Sequence, residues 1–363
     1  MTTSLSPSRT GRRLRDRVLK VAELVTTPLL PADYLDLFNP LRAGADLRGR
    51  IVQVTPETAD ATTILLQPGQ DWAGHVPGQY IRIGVEIDGV RHWRAYSLTS
   101  RVDRPDGLIA ITPKAIPDGL VSGYLAHRAR PGALVMLDQA TGDFVLPTPA
   151  PARVLFLTAG SGITPVMGML RNRLADLTDV VLLHSAPTAA DVVFGAELRA
   201  LAAAGRLTLV ERHTDVVGML AVDDLDSLVP DWRERETWAC GPTGLLDALE
   251  GAWAAAGIPA RLHTERFRPT VLVVGEGGVL TFARSGTTVE ADGGRPILDS
   301  AEAAGVLMPS GCRMGICFRC VLPLREGAVR DLRTGDITYA VSGDGTRIQT
   351  CISAPAGDCE IDH

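Results

Sequence analysis

The chain lacks the features that mark membrane-spanning, nucleic-acid-binding or secreted proteins. Its 363 residues contain no apolar run of the ~18 residues that a membrane-spanning helix needs. Its formal net charge is -6, which gives no electrostatic reason to expect nucleic-acid binding. Nothing at its start resembles a secretory signal peptide, so its six cysteines do not predict a disulfide framework. These absences predict a cytoplasmic protein of two or three domains, at ~150 residues per domain.

Four of the six cysteines have a spacing that is typical of iron–sulfur proteins. Cys312, Cys317 and Cys320 follow the pattern C-x4-C-x2-C, and Cys351 lies further along the chain. This is the ligand spacing of a plant-type [2Fe–2S] cluster, in which thiolates hold the iron. A zinc site is the weaker alternative, because zinc sites normally show two C-x2-C pairs or a mixture of cysteine and histidine. We therefore predict that these four cysteines bind a [2Fe–2S] cluster.

The first 46 residues differ from the rest and form a predicted N-terminal extension. Residues 9–25 are rich in arginine and have apolar residues near helical spacing, which fits a basic amphipathic helix on an anionic membrane surface or a partner. The arginine- and serine-rich start also resembles an organellar transit peptide. A helix packed on its own domain is an equally good interpretation.

Residues 47–149 consist of short strands separated by proline–glycine turns, which predicts an antiparallel β-barrel. Two motifs lie inside this stretch. Arg94-Ala95-Tyr96-Ser97 ends a strand, and Gly119-Leu120-Val121-Ser122 opens a helix. Together they resemble the flavin domain of the ferredoxin–NADP reductase superfamily.

This resemblance implies an FAD site, with FMN as the alternative found in some relatives. Arg94 would offer a charge-assisted fork to a flavin phosphate. Tyr96 would pack on the isoalloxazine, and Ser97 would place a catalytic hydroxyl near its N5. The N–H groups from Gly119 to Ser122 would bind the pyrophosphate. The remaining flavin contacts implied are Ala95, Thr112 and Lys114.

Residues 150–268 alternate apolar strands with helices, which predicts a doubly wound parallel sheet. Gly160-Ser161-Gly162-Ile163-Thr164-Pro165 joins the first strand to a helix, where small residues let a pyrophosphate approach the helix N-terminus. Cys240-Gly241-Pro242 ends a later strand. The same superfamily has both motifs, and the resemblance places Cys240 at the nicotinamide as a second catalytic residue. A small buried core residue is the alternative for Cys240.

Two neighbouring strand ends bear on the choice of nicotinamide cofactor. Ser185 with Arg212 or His213 can hold a 2′-phosphate, and Glu211 is expected to point to the other face of its strand. The expected cofactor is therefore NADPH. NADH stays open, because many relatives have arginine where this chain has Pro187.

Residues 269–363 show the order strand, strand, helix and cysteine loop, as in a ferredoxin of the β-grasp fold. Phe267, just before this domain, is a candidate shield for the flavin, or a packing residue at a domain hinge. The domain order resembles the reductase components of multicomponent oxygenases. It implies transfer of a hydride from NADPH to FAD, followed by transfer of single electrons through the cluster to a partner protein.

The resemblance also suggests electron acceptors. Residues 26–34 resemble actinobacterial reductases that supply a membrane-bound stearoyl-CoA desaturase, which implies a role in fatty acid desaturation and peripheral membrane contact through residues 9–25. One alternative is a reductase for a hydroxylase or oxygenase that acts on aromatic rings, steroids or aromatic acyl-CoA. A second alternative is a non-catalytic redox sensor or electron carrier.

Overall fold

The computed structural model describes residues 35, 38–117, 119–267, 276–311, 313, 315 and 318–363. Most of the predicted N-terminal extension, including residues 9–25 and 26–34, lies outside these residues. Two of the four predicted cluster ligands, Cys312 and Cys317, also lie outside them. Within the described ranges, no helix has the length and apolar character needed to span a membrane.

The helices and strands follow the three parts that the sequence predicts. The strands are β1 (Arg48–Pro56), β2 (Thr62–Pro68), β3 (Tyr80–Ile87), β4 (Val90–Ser97), β5 (Ile109–Ile111), β6 (Leu134–Leu137), β7 (Arg153–Ala159), β8 (Asp179–Ala186), β9 (Thr208–His213), β10 (Glu236–Cys240), β11 (Leu262–Glu265), β12 (Gly278–Phe282), β13 (Thr288–Ala291), β14 (Val321–Asp331), β15 (Ile337–Ala340), β16 (Arg347–Gln349) and β17 (Ser353–Ile361). The helices are α1 (Leu120–His127), α2 (Ile163–Arg173), α3 (Gly195–Ala203), α4 (Thr214–Val217), α5 (Leu225–Leu228), α6 (Thr243–Ala255) and α7 (Ile297–Ala303).

The first domain is the predicted antiparallel barrel. Its six strands run in the order β4-β3-β6-β1-β2-β5. Leu98, directly after β4, forms a bridge with Ile111 of β5, so the two ends of the sheet meet and close the barrel. Alternate strand residues such as Ile64 point inward to an aliphatic core, against which α1 packs Val121 and Leu125. The barrel prediction is confirmed.

The second domain is the predicted parallel sheet, in the order β11-β10-β7-β8-β9. Its strands are buried on both faces, with Phe156 and Trp238 in the core on one side and Leu157 and Trp253 in the core on the other. The strand order reverses between β7 and β10. Ligands of such sheets bind at this reversal, outside the carboxyl ends of the strands. The glycine loop after β7 and the end of β10 meet there.

The third domain is a small mixed sheet in the order β13-β12-β17-β14-β15, with β16 paired to β14. Strands β12 and β17 are parallel, and β14 is antiparallel to β17. Helix α7 packs Ile297 and Leu298 into the core of this domain. The succession of two strands, a helix and the cysteine loop agrees with the predicted β-grasp ferredoxin domain.

Candidate functional site

Two of the predicted cluster ligands lie side by side in the third domain. Cys320 precedes β14 and Cys351 follows β16, and the antiparallel pairing of these strands brings the two cysteines together. Thr350 reinforces this approach, because its backbone N–H and its hydroxyl both donate to the carbonyl of Cys320, at 3.2 and 3.0 Å. The two Sγ atoms are 3.2 Å apart, well beyond the ~2.05 Å of a disulfide bond. Two buried thiols at this separation fit two thiolate ligands of one iron.

The loop that leads to Cys320 depends on an unusual backbone conformation. Gly315 has a φ of +75°, and a Cβ there would lie 2.6 Å from the Arg333 guanidinium and 2.9 Å from the Ile352 side chain. Gln349 donates to the carbonyl of Gly315 at 2.9 Å and so ties the loop to β16. A side chain at residue 315 would therefore be strained and would have to displace Arg333 and Ile352. The roles of Cys312 and Cys317 remain predictions.

Arg94 of β4 is a cation suited to an anionic ligand. Its guanidinium donates to the carbonyl of Trp93 at 2.8 Å and forms no ion pair with any carboxylate among the described residues. Burial lowers the pKa of Arg94, and the nearby positive charge of Arg313 lowers it further. A partly buried guanidinium in this situation is stabilised by an added anion. A flavin phosphate fits this requirement.

The start of α1 has the form expected of a pyrophosphate cradle. Gly119 precedes the helix and provides no side-chain cap, so the first N–H groups have no acceptor within the helix. A Cβ at Gly119 would overlap both the Ser122 hydroxyl and the Ile116 side chain. The Ser122 hydroxyl donates to the carbonyl of Gly119 at 3.2 Å, which holds this turn in place. The backbone here can approach a phosphate closely.

The barrel and the nucleotide domain meet at Ser97. Its hydroxyl is buried and accepts a hydrogen bond of 3.3 Å from Thr164, near the start of α2. Thr164 lies within hydrogen-bond reach of the Ser161 carbonyl as well, at 3.0 Å. Burial raises the pKa of the neighbouring Tyr96 phenol, so this ring stays protonated and neutral. The structure thus brings the flavin motif and the glycine loop to one place.

Cys240 lies on the opposite side of the glycine loop. A Cβ at Gly162 would overlap the carbonyl oxygen of Cys240, so only glycine lets the loop pack on the end of β10. The thiol is fully buried, and burial raises its pKa well above the usual value. Cys240 is therefore a neutral thiol, and not the thiolate that a nucleophile would need. The catalytic role of Cys240 at the nicotinamide stays a prediction.

Three other predicted contacts form no hydrogen bond or ion pair with Ser97 or Thr164 in the described part of the chain. The Thr112 side chain is buried in the barrel, where its hydroxyl lies 2.9 Å from that of Thr63. Lys114 pairs with Asp60; burial alone would raise the pKa of that carboxyl, but the hydrogen bonds of Lys114 and Thr58 lower it overall. Phe267 is 40% exposed at the end of the nucleotide domain. Their cofactor roles remain predictions.

The ends of β8 and β9 were expected to bind the 2′-phosphate of NADPH, but their side chains are arranged differently. Arg212 donates to the carbonyl of Val217 at 3.0 Å and forms an ion pair with Asp224 at 3.0 Å, so its own loop occupies it. Glu211 points away from Arg212 as expected, but it shares a face with His213, 3.2 Å away, because alternate residues of a strand lie on one face. Ser185 is buried near the end of β8. An acid therefore lies beside one predicted phosphate contact.

Glu265 is a site residue for which the sequence predicted no role. It pairs in register with Cys240 across β10 and β11, and one of its carboxylate oxygens is buried without a hydrogen-bond partner among the described residues. Burial raises the pKa of Glu265 to about 8, so it is a neutral acid at pH 7. It can therefore hold a proton next to the Cys240 thiol. The sequence shows only an acid before Arg266 and Phe267, and its register with Cys240 needs the sheet order.

This pKa makes a prediction about stability. The ordinary pKa of Glu265 is 4.5 and its folded value about 8, so the native state keeps a proton that the unfolded state loses between these values. The free energy of unfolding therefore falls as the pH rises from about 4.5 to about 8. We expect Glu265→Gln to remove this pH dependence, so that its Tm relative to the wild type rises between pH 5 and pH 8 by on the order of 10 °C, as the roughly 3–4 kcal/mol of such a pKa shift over that range would give.

The measurement is thermal unfolding of both proteins from pH 5 to 9. Glu234→Gln is the control, because Glu234 is an exposed surface acid paired with Arg153. A difference in Tm between Glu265→Gln and the wild type that stays constant with pH would contradict the buried, protonated state of Glu265.

Comparisons with known proteins agree with this architecture. The family described as "Oxidoreductase FAD-binding domain" matches residues 51–146, "Oxidoreductase NAD-binding domain" matches 156–250, and "2Fe-2S iron-sulfur cluster binding domain" matches 280–356. The chain is 51% identical to an NADPH oxidoreductase of Mycobacterium tuberculosis, over 94% of this chain and 91% of that protein.

Two further similarities extend over most of the chain. It is 30% identical to the glycine betaine monooxygenase reductase subunit of Pseudomonas aeruginosa, over 86% of this chain and 94% of that one. The solved structure of phthalate dioxygenase reductase has the same fold, with a TM-score of 0.59 at 23% identity, and covers 87% of this chain and 97% of that chain.

The fold and the site define an oxidoreductase with an FAD domain, a nicotinamide-nucleotide domain and its own [2Fe–2S] domain. The chain belongs to the NAD(P)H-dependent flavin and iron–sulfur reductases of the ferredoxin–NADP reductase superfamily that carry a C-terminal ferredoxin domain. The predictions of an enzyme, of this fold and of its flavin, nicotinamide and iron–sulfur cofactors are confirmed. The link to a desaturase is not part of what these similarities show.

Proposed function

We propose that this protein is the NADPH-dependent reductase component of an oxygenase system and delivers electrons to a separate acceptor protein. The observation that supports this proposal most is that one chain contains both a candidate flavin and nicotinamide site and a candidate cluster site. Ser97, Thr164 and Cys240 meet where the barrel and nucleotide domain join, and Cys320 and Cys351 converge in the third domain. The name of the glycine betaine monooxygenase reductase relative supports an oxygenase as the acceptor.

In this proposal the protein binds, orients and shields, and the cofactors supply the redox chemistry. Bound FAD accepts a hydride and releases its electrons singly, which no side chain can do. Arg94 holds a flavin phosphate, and Tyr96 packs on the ring. Ser97 and Thr164 fix the contact between the two domains. Gly162 lets the nicotinamide nucleotide approach the end of β10, where Glu265 holds a proton.

The preference for NADPH rests on the name of the 51% identical relative and on Ser185 and His213 at the strand ends. Arg212 is less suited to bind a 2′-phosphate than the sequence suggested, because its guanidinium already pairs with Asp224 and donates to the carbonyl of Val217. We therefore expect a lower KM for NADPH than for NADH. His213→Ala should raise the KM for NADPH and leave that for NADH nearly unchanged.

The function is tested on the purified holoprotein. Its visible spectrum should show flavin and iron–sulfur bands, and NADPH should bleach both and support rapid reduction of ferricyanide. A protein that binds the cluster but does not turn over NADPH would instead be a redox sensor or electron carrier. Acceptor identity is then tested by adding candidate oxygenase components and measuring product against a control without the reductase.

A membrane-bound stearoyl-CoA desaturase is the second candidate acceptor. Its support is the resemblance of residues 26–34 to reductases that serve such enzymes, together with the basic residues 9–25, which suit contact with an anionic membrane surface. Desaturase membranes supplied with NADPH and this protein should form an unsaturated acyl product. No product above the control without reductase, with an oxygenase component active in parallel, would reject this acceptor.

A further inference from the structure

The ferredoxin domain contacts the flavin barrel through Arg82 and Asp138. The buried core of the barrel and that of the ferredoxin domain are separate clusters. Two crevices lie between the domains, one of about 640 Å³ lined by Arg82, Trp93, Asp138 and Arg319, and one of about 280 Å³ lined by residues that include His92. Among the described residues, no buried apolar cluster spans this boundary. The contacts that Arg82 and Asp138 make across it are polar.

Asp138 lies at the centre of these contacts. It directly follows β6, and its backbone N–H donates to the carbonyl of Arg82 at 3.1 Å, which fixes it to β3. One carboxylate oxygen pairs with Arg82 at 2.7 Å, and the other lies 3.3 Å from Arg319 of the cluster loop. One carboxylate thus joins a cation of the barrel to a cation beside the cluster ligands.

Arg82 makes this carboxylate necessary. Its side chain is 4% exposed, its guanidinium packs 4.9 Å from the Trp93 ring, and it donates weakly to the Ser310 carbonyl at 3.4 Å. A buried guanidinium needs an anionic partner. Without Asp138, Arg82 and Arg319 would face each other as two like charges across the boundary. Removal of this one carboxylate turns attraction between the domains into repulsion.

We propose that Asp138 is the positioning residue that holds the ferredoxin domain against the flavin domain for electron transfer, through its shared ion pairs with Arg82 and Arg319. This inference rests on the proposed function. Each hydride brings two electrons and a [2Fe–2S] cluster takes up one, so the acceptor must empty the cluster between the two transfers. The Arg319 side chain is 55% exposed in its ion pair with Asp138. Salt ions or an acidic surface of the acceptor can therefore compete with Asp138 for Arg319.

The test compares Asp138→Asn with the wild type by stopped-flow absorbance after mixing with NADPH. Flavin reduction should stay within about twofold of the wild-type rate, because the polar contacts of Asp138 are with Arg82 and Arg319 and not with Ser97 or Cys240. Reduction of the cluster should be about tenfold slower at low salt, as for loss of one close charge pair. Added salt should slow cluster reduction in the wild type and change it little in the variant.

A second measurement does not depend on turnover. Small-angle X-ray scattering at low salt should give a larger radius of gyration for Asp138→Asn than for the wild type, because the ferredoxin domain is released. Arg319→Gln should act in the same direction, and the double variant should be no slower than Asp138→Asn, since both single variants remove the pair between Asp138 and Arg319. The EPR signal and midpoint potential of the cluster should be unchanged in Asp138→Asn.

Arg325→Gln is the matched control. Arg325 is an exposed arginine of the same domain and pairs with Glu360 at 2.8 Å within that domain, so its loss should leave cluster reduction unchanged. Equal slowing in Arg325→Gln and Asp138→Asn, or an unaltered rate and radius in Asp138→Asn, would overturn the proposal. Failure of NADPH to reduce the wild-type flavin would instead reject the proposed function.

Discussion

Serine in place of Cys351 should abolish electron delivery to an acceptor protein and leave hydride transfer from NADPH to the flavin within about twofold of the wild type. The Sγ atoms of Cys351 and Cys320 lie 3.2 Å apart, so a shorter and less acidic hydroxyl would leave one iron without a ligand. Delivery should fall at least about a hundredfold, because changes outside the ligand shell already cost roughly 10–100-fold in metal binding. The core of the third domain is separate from the other cores, which protects the flavin step.

The measurement is reduction of cytochrome c, which takes single electrons, beside reduction of ferricyanide and the iron content of the purified protein. Cys359→Ser is the matched control. Cys359 is a buried cysteine of the same domain outside the ligand spacing, and burial raises its pKa to about 12, so it is an inert thiol. Full iron content and normal cytochrome c reduction in Cys351→Ser would show that another residue holds the cluster.

Local sequence patterns were sufficient to predict the three folds. Proline–glycine turns between short strands, the apolar strands around Gly160–Pro165 and the spacing of the cysteines each reflect contacts made within one segment or between adjacent ones. These local patterns predict which helix or strand a motif lies on and at which end of it.

Contacts set by sheet register or domain docking could not be predicted in this way. Glu265 meets Cys240 only because β11 pairs with β10. Strand alternation predicted that Glu211 points away from Arg212, but the same alternation also places Glu211 beside His213. The joining of Arg82 and Arg319 through Asp138 depends on how two domains sit together, which leaves no trace in local spacing.

Gly162→Ala should have the second large effect, on hydride transfer. The backbone of Gly162 has φ −61° and ψ −11°, which alanine adopts without strain, so the cost is purely steric. The added Cβ would overlap the Cys240 carbonyl oxygen and approach the Gly241 N–H at 3.0 Å, both of them backbone that cannot rotate away. The loop must move off β10, and a displacement of about 1 Å at a reacting centre costs roughly a hundredfold in rate.

The expected result is flavin reduction by NADPH about a hundredfold slower, with FAD content and cluster bands unchanged, because the barrel and the third domain keep their own cores. The measurement is the stopped-flow rate of flavin bleaching over a range of NADPH concentrations. Gly251→Ala is the control, since Gly251 lies in α6 with nothing within 4 Å of an added Cβ, and alanine there should stabilise the helix slightly. A Gly162→Ala rate within fivefold of the wild type would mean that the loop accommodates the methyl group, and that its close packing on Cys240 does not set the hydride-transfer geometry.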